Sequence, residues 1–171
     1  MYTRFLFLLI SLQFIVPPAQ AAFKNRTFEE VLLENFSKCE LKKENVFLSK
    51  NQIAQIENEL SFKVSALMLR FYNPCNKSYI YVDSHPVRTL NETVLIELKK
   101  GEQQQDELSW LEIASFMEPK EYVPPKKWLE LFKKRSVNKV DGLTGATLSE
   151  NAIKKVVEKY KVVNRVLGDK K

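Results

Sequence analysis

The chain has 171 residues and a formal net charge of +6, from 27 Lys and Arg against 21 Asp and Glu. This length suits one domain with its own core, and beyond the first residues no stretch is apolar and long enough to cross a bilayer as a helix. A basic balance attracts nucleic acid or anionic lipid in some proteins, but here the lysines are interleaved with acids and apolar residues, so they read as solvated faces and no nucleic acid is expected as a partner.

Residues 1–21 read as a targeting segment. Arg4 is their only charge, Phe5 to Val16 is an apolar run, Pro17 and Pro18 break it, and Ala19-Gln20-Ala21 has the small-x-small form of a cleavage site. No cysteine follows directly, so a lipid anchor is not expected. The alternative is an uncleaved anchor, for which the apolar run is short. An exported protein is predicted, periplasmic or extracellular, with a mature chain of about 150 residues.

Thr27-Phe28-Glu29-Glu30 has the form of a capping box and predicts a helix with Val31, Leu32 and Phe36 on its apolar side. Ser49-Lys50-Asn51-Gln52 repeats the signal ahead of Ile53, Ile56 and Leu60. Residues 22–61 therefore read as an N-terminal helical segment. Phe62 to Tyr72 predicts a strand apolar on both faces, with Met68 and Arg70 on one face and Leu67, Leu69 and Phe71 on the other, as in a central strand. Tyr79 to Val82, Thr93 to Leu98 and Glu107 to Phe116 predict three more strands. In the last, Leu108, Trp110, Glu112 and Ala114 alternate against Leu111, Ile113 and Ser115. Pro124-Pro125 suits the start of a short helix carrying Trp128, Leu129 and Phe132. Ser149-Glu150 opens a final helix with Ile153, Val156, Val157 and Tyr160 inward and Lys154, Lys155 and Lys159 toward its outer face; residues 165–171 read as a polar tail. The fold class is α+β, an antiparallel sheet flanked by helices.

Cys39 and Cys75 form an even pair in an exported chain, which permits one disulfide. One bridge and two free thiols both stand on sequence. With the single His85 they leave a zinc site short of ligands. His85 has no serine locally paired with it, and there is no Gly-x-Ser-x-Gly elbow, Walker loop or dinucleotide fingerprint.

Two of the four glycines lie in Asp141-Gly142-Leu143-Thr144-Gly145-Ala146-Thr147, directly before Leu148-Ser149 and the last helix. Glycine permits positive φ and close approach of a ligand to the main chain. A helix N-terminus offers free N–H groups and partial positive charge, which favour phosphate. An ordinary turn and N-cap is the plain alternative.

Asp141 to Ser149 resembles the attachment motif of the FMN-binding domain family, which includes subunits of sodium-translocating quinone reductase and of the RNF electron-transport complex. Upstream, Glu118-Pro119, Tyr122, Pro124 and Trp128 are similar to the Glu-Pro-x-x-Tyr-x-Pro-x-x-x-Trp stretch of small secreted members. The resemblance covers the C-terminal half of the chain and implies an FMN-binding domain over residues 62–164. It implies that Thr147 is esterified to the phosphate of FMN, and that Asp141, Thr144, Gly145 and Ala146 are recognised by an exported flavin transferase that uses FAD as donor. On the same resemblance Leu148, at the end of the loop, and Ser149, at the head of the helix behind it, are expected to take part in binding the phosphate. Glu118, Tyr122 and Trp128 join the expected cofactor site, Tyr122, Trp128 and Met117 as walls for the ring. The chain departs from the family in having Thr144 where Ser is common. An electron carrier is implied rather than a complete enzyme, with redox proteins, and a membrane-bound respiratory complex among them, as partners. The alternatives are a non-covalent FMN module and a secreted interaction domain without cofactor.

Overall fold

Two capping boxes start the first two helices, as the sequence predicts. The computed structural model describes residues 23–101 and 106–168; the expected signal segment lies outside them. Thr27 accepts the N–H of Glu30, whose carboxylate accepts the N–H of Thr27, and helix α1 runs Phe28–Phe36. Ser49 and Gln52 make the same exchange at the head of α2, Lys50–Leu60. Each box satisfies donors that a helix start leaves free.

Strands β1 (Lys42–Phe47), β2 (Leu67–Asn73), β3 (Ser78–Pro86), β4 (Asn91–Lys100) and β5 (Asp106–Phe116) form an antiparallel sheet in chain order. One face carries Met68, Tyr81, Val94, Ile96, Leu111 and Ile113 and packs against α2, the short helix α3, Lys126–Leu129, and the last helix, α4, Thr147–Leu167. The opposite face carries Phe71, Ile80, Leu95 and Ala114, covered by Val31 and Leu32 of α1. The fold is thus the expected α+β arrangement. Ile153, Val157 and Val163 of α4 are fully buried, and each such side chain contributes roughly 1.5–3 kcal/mol on leaving water. No helix among the described residues is long and apolar enough to cross a membrane.

Several expectations need correction. The segment 22–61 is not wholly helical: it supplies β1, which pairs with β2 from Lys42↔Tyr72 to Phe47↔Leu67. The strand expected from Phe62 begins only at Leu67. Ser61 ends α2 in a left-handed conformation, φ 60°, and β1 stops at Phe47, so beyond one bond from the Leu48 N–H to the Ala66 carbonyl residues 62–66 have no partner strand among the described residues. Helix α4 starts at Thr147 and continues to Leu167, so residues 165–167 of the expected tail are helical.

The simple alternation along β5 also fails. The pairing with β4 shifts between Thr93 and Val94 and again between Glu97 and Leu98. Each shift inserts one unpaired residue, so the side chains beyond it change face. Leu108 thereby joins Leu111, Ile113 and Phe116 in the α4-side core, while Trp110 and Ala114 face α1.

Cys39 and Cys75 are joined by a disulfide, which settles the choice left open by the sequence. It ties the segment after α1 to the β2–β3 turn.

Candidate functional site

Helix α4 begins without a side-chain cap. Its N-cap is Ala146, which has no polar side chain to cap it, and among the described residues no side chain bonds to the first N–H groups. The donors of Thr147, Leu148 and Ser149 have no partner within the helix by its geometry. Gly145, at φ +84°, turns the chain into this start, and a Cβ placed on it would meet no atom within 4 Å. The glycine is therefore required by backbone conformation and not by crowding. Thr147 and Thr144 are exposed, and Ser149 is buried.

The loop before the helix is held from two sides. Glu150 accepts the N–H of Leu143 at 2.6 Å and the Lys154 ammonium at 2.7 Å. The Lys154 ammonium and the Leu143 N–H hold the Glu150 carboxyl below the usual range. Trp128 donates its indole N–H to the Asp141 carbonyl at 2.9 Å, and Asp141 pairs with Arg135. Ala146 N–H returns to the Leu143 carbonyl, which closes the turn.

A cleft of about 220 Å³ opens in front of the helix start. Gly145 to Ser149 form one side. Glu118 and Tyr122 form part of the other, with Val87 and Arg88 from the β3–β4 turn. Two stretches separated by more than twenty residues thus meet at one concave surface. Glu118 accepts the N–H groups of Thr89 at 2.8 Å and Leu90 at 2.9 Å. Those two backbone donors keep its carboxyl ionised below the ordinary range, so Glu118 pins the loop after β5 onto the β3–β4 turn.

Of the ten residues expected at the site, seven line this cleft: Gly145, Ala146, Thr147, Leu148, Ser149, Glu118 and Tyr122. Asp141, Thr144 and Trp128 do not. Trp128 is buried and packs edge-on against Phe132 at 4.9 Å, so it supports the loop and offers no face to the cleft. Met117 is exposed and also stands outside it.

Sequence reasoning missed a buried charged cluster on the α4 side of the sheet. His85 Nδ1 lies 2.7 Å from Asp83 and its Nε2 3.2 Å from Glu92. Tyr160 donates its hydroxyl to Asp83 at 2.8 Å, and Lys159 bonds the same oxygen. Lys159 therefore reaches into the fold, not outward as expected. Glu92 is fully buried, and its Oε1 has no partner among the described residues. Burial lowers the affinity of His85 for its proton, but bonds to Asp83 and Glu92 outweigh burial and hold its pKa at about 9. Burial pushes the Glu92 carboxyl upward against the pull of His85. The signal available was local: Asp83 and His85 are two apart on a strand and share a face, and hairpin register sets Glu92 opposite His85. No group of three His, Cys, Asp or Glu among the described residues is arranged to hold a metal ion.

An FMN phosphate needs N–H donors and positive potential, and the uncapped start of α4 with Arg88 on the rim supplies both. Arg88 is opposed by the carboxylate of Glu118 in the same lining. The cleft is also below the roughly 300–1,000 Å³ usual for a ligand pocket. The residues therefore fit the phosphate end of FMN but would hold it weakly without a bond. No protein-family model, curated protein or solved structure matches the chain.

Proposed function

We propose that the chain is an exported flavoprotein that carries FMN, esterified through its phosphate to Thr147, and serves electron transfer between proteins. The observation that carries this reading is the convergence of Glu118 and Tyr122 with Gly145 to Ser149 on one cleft. Those two stretches carry the two motifs on which the resemblance to the FMN-binding domain family rests.

Thr147 is exposed at the first position of α4, where an attacking hydroxyl is accessible to a transferase. In the attachment step its Oγ1 forms a bond to the FMN phosphorus of FAD. The bond from that phosphorus to the bridging oxygen breaks, and AMP leaves with the proton. The free N–H groups behind Thr147 and the guanidinium of Arg88 favour the remaining phosphate charge. Glu118 and Glu150 are each engaged by backbone N–H donors, which blunts their repulsion of that charge. Bound FMN supplies reversible electron transfer, and the protein sets position, potential and access. The small cleft and its near balance of charge favour a covalent tether over a non-covalent module, because a weakly held cofactor is lost by dilution outside the cell.

The test is the intact mass of the protein secreted from a host carrying a flavin transferase. The expected result is a gain of one FMN less one water, mapped to Thr147, retained in Thr147→Ser and lost in Thr147→Val. Yellow colour that disappears on denaturation would replace the ester with non-covalent binding. An unmodified, colourless protein would leave an interaction domain without cofactor.

A further inference from the structure

A second hollow, of about 340 Å³, adjoins the cleft along α4 and shares Val87 and Leu148 with it. Its apolar lining comes from Phe62, Pro86, Ala152, Val156 and the two shared residues. Its charged lining comes from Asp83, His85, Lys155 and Lys159. We propose that FMN esterified at Thr147 lays its ring in this second hollow, with the pyrimidine edge toward His85 and Lys155, and that these two cations raise its reduction potential. This inference rests on the flavin reading above.

Three observations carry it. The cleft at Thr147 has room for the phosphate end, whereas the adjoining hollow is the larger of the two and shares two wall residues with it. A flavin ring presents apolar faces and one polar edge, and the lining of the hollow likewise combines apolar side chains with charged ones. The charges are also sorted. Asp83 also lines the hollow, but it is engaged by Lys159, Tyr160 and His85, so its negative charge is balanced there. His85 lies between Asp83 and Glu92 and carries its proton at neutral pH. Lys155 is exposed and makes no ion pair among the described residues. Negative charge develops on the pyrimidine edge of a flavin when it is reduced, and nearby cations favour that state.

The experiment uses the full chain secreted with a flavin transferase, in the variants Lys155→Met and His85→Gln. Lys38→Met, on the α1 side, removes the same charge at a distance. Three quantities are read: flavin content after denaturation, midpoint potential by spectroelectrochemical titration, and quenching of flavin fluorescence by iodide. Lys155→Met and His85→Gln are each expected to keep the flavin and to lose about tenfold of the preference for the reduced ring, which is about 30 mV for two electrons. Iodide quenching is expected to weaken in both, because the anion loses a cation beside the ring. Lys155→Met alters an exposed helical residue and carries the test alone if His85→Gln fails to fold. A fully loaded protein whose potential and quenching in these variants match those of Lys38→Met overturns the ring placement and leaves the ester intact. A wild-type protein without flavin overturns both readings.

Discussion

Trp128 donates its indole N–H to the main-chain carbonyl of Asp141 at 2.9 Å. The bond joins the end of the Glu118–Trp128 stretch to the start of the glycine loop. Trp128→Phe keeps an aromatic ring against Phe132 and removes only the donor. A loss of about 1 kcal/mol is expected from the missing bond, read as a lower urea midpoint. Loading of Thr147 by a flavin transferase is expected to slow, because the loop loses one of the side-chain bonds that hold it, leaving those from Glu150 and Arg135. Unchanged loading and stability would show that Glu150 and Arg135 suffice to fix the loop.

The two glycines of the loop should behave differently. Gly145 has φ +84° and open space around a Cβ. Gly145→Ala therefore meets no clash, but it places a side chain on a left-handed backbone at a cost of roughly 1–2 kcal/mol. Gly142 has no such conformation, and a Cβ there would stand 3.5 Å from Glu150 Oε2, an ordinary contact. Gly142→Ala is expected to be within about 0.5 kcal/mol of wild type. Thermal unfolding of the two variants side by side checks this, and equal losses would refute the distinction.

The disulfide spans a sequence separation of 36 residues. Constraining a loop of that size in the unfolded chain contributes on the order of 4 kcal/mol. Cys39→Ser with Cys75→Ser is expected to lower unfolding free energy by that order while leaving the sheet and the Thr147 cleft in place, since the bridge lies at the β2–β3 end. Denaturation of the double variant, and of wild type in reductant, should agree. A double variant as stable as the oxidised protein would remove the bridge from the list of major stabilising elements.

What was legible in the sequence was local. The capping boxes at Thr27 and Ser49 act over three residues, and the apolar spacing of α4 is that of a single helix. Strand β1 was not legible, because Lys42-Lys43-Glu44-Asn45-Val46-Phe47 is an edge strand with only Val46 buried; its polar side chains carry no alternation. The bulges in β5 are set by pairing with β4 and leave no mark in β5 itself. Thr147 was found through resemblance, and the residues facing it from the β3–β4 turn, Val87 and Arg88, were not. The Asp83–His85–Glu92 cluster was missed for a related reason: the expected strand stopped at Val82, which cut Asp83 and His85 off from the face they share. Arg70 illustrates the same limit. Its burial beneath a bond from its Nε to Glu44 and over the Tyr79 ring at 3.8 Å follows only once β1 and β3 flank β2.

The His85 cluster makes stability depend on pH in a defined direction. His85 has a folded pKa of about 9 against a reference of 6.5, so between those values the native protein holds a proton that the unfolded chain has released. Its contribution is complete below pH 6.5 and is lost as pH rises through 9. Glu92 works in the same sense: burial raises its pKa above 4.5, so its deprotonation also costs the native state more than the unfolded one. Asp83 works in the opposite sense at the acid end. Burial would raise its pKa, but His85, Lys159 and Tyr160 together bring it below 3.8. Its contribution is present above pH 3.8 and is lost on further acidification. The urea midpoint is therefore expected to be highest between about pH 4 and 4.5, to fall first as Glu92 and then as His85 releases its proton, and by pH 9 to be lower by an amount on the order of 1–3 kcal/mol. His85→Gln keeps a side chain of similar reach but cannot take up a proton, so it should flatten the fall between pH 6.5 and 9. The acid limb, which belongs to Asp83, should shift but persist. An alkaline limb in His85→Gln as steep as that of wild type would assign the dependence to another group.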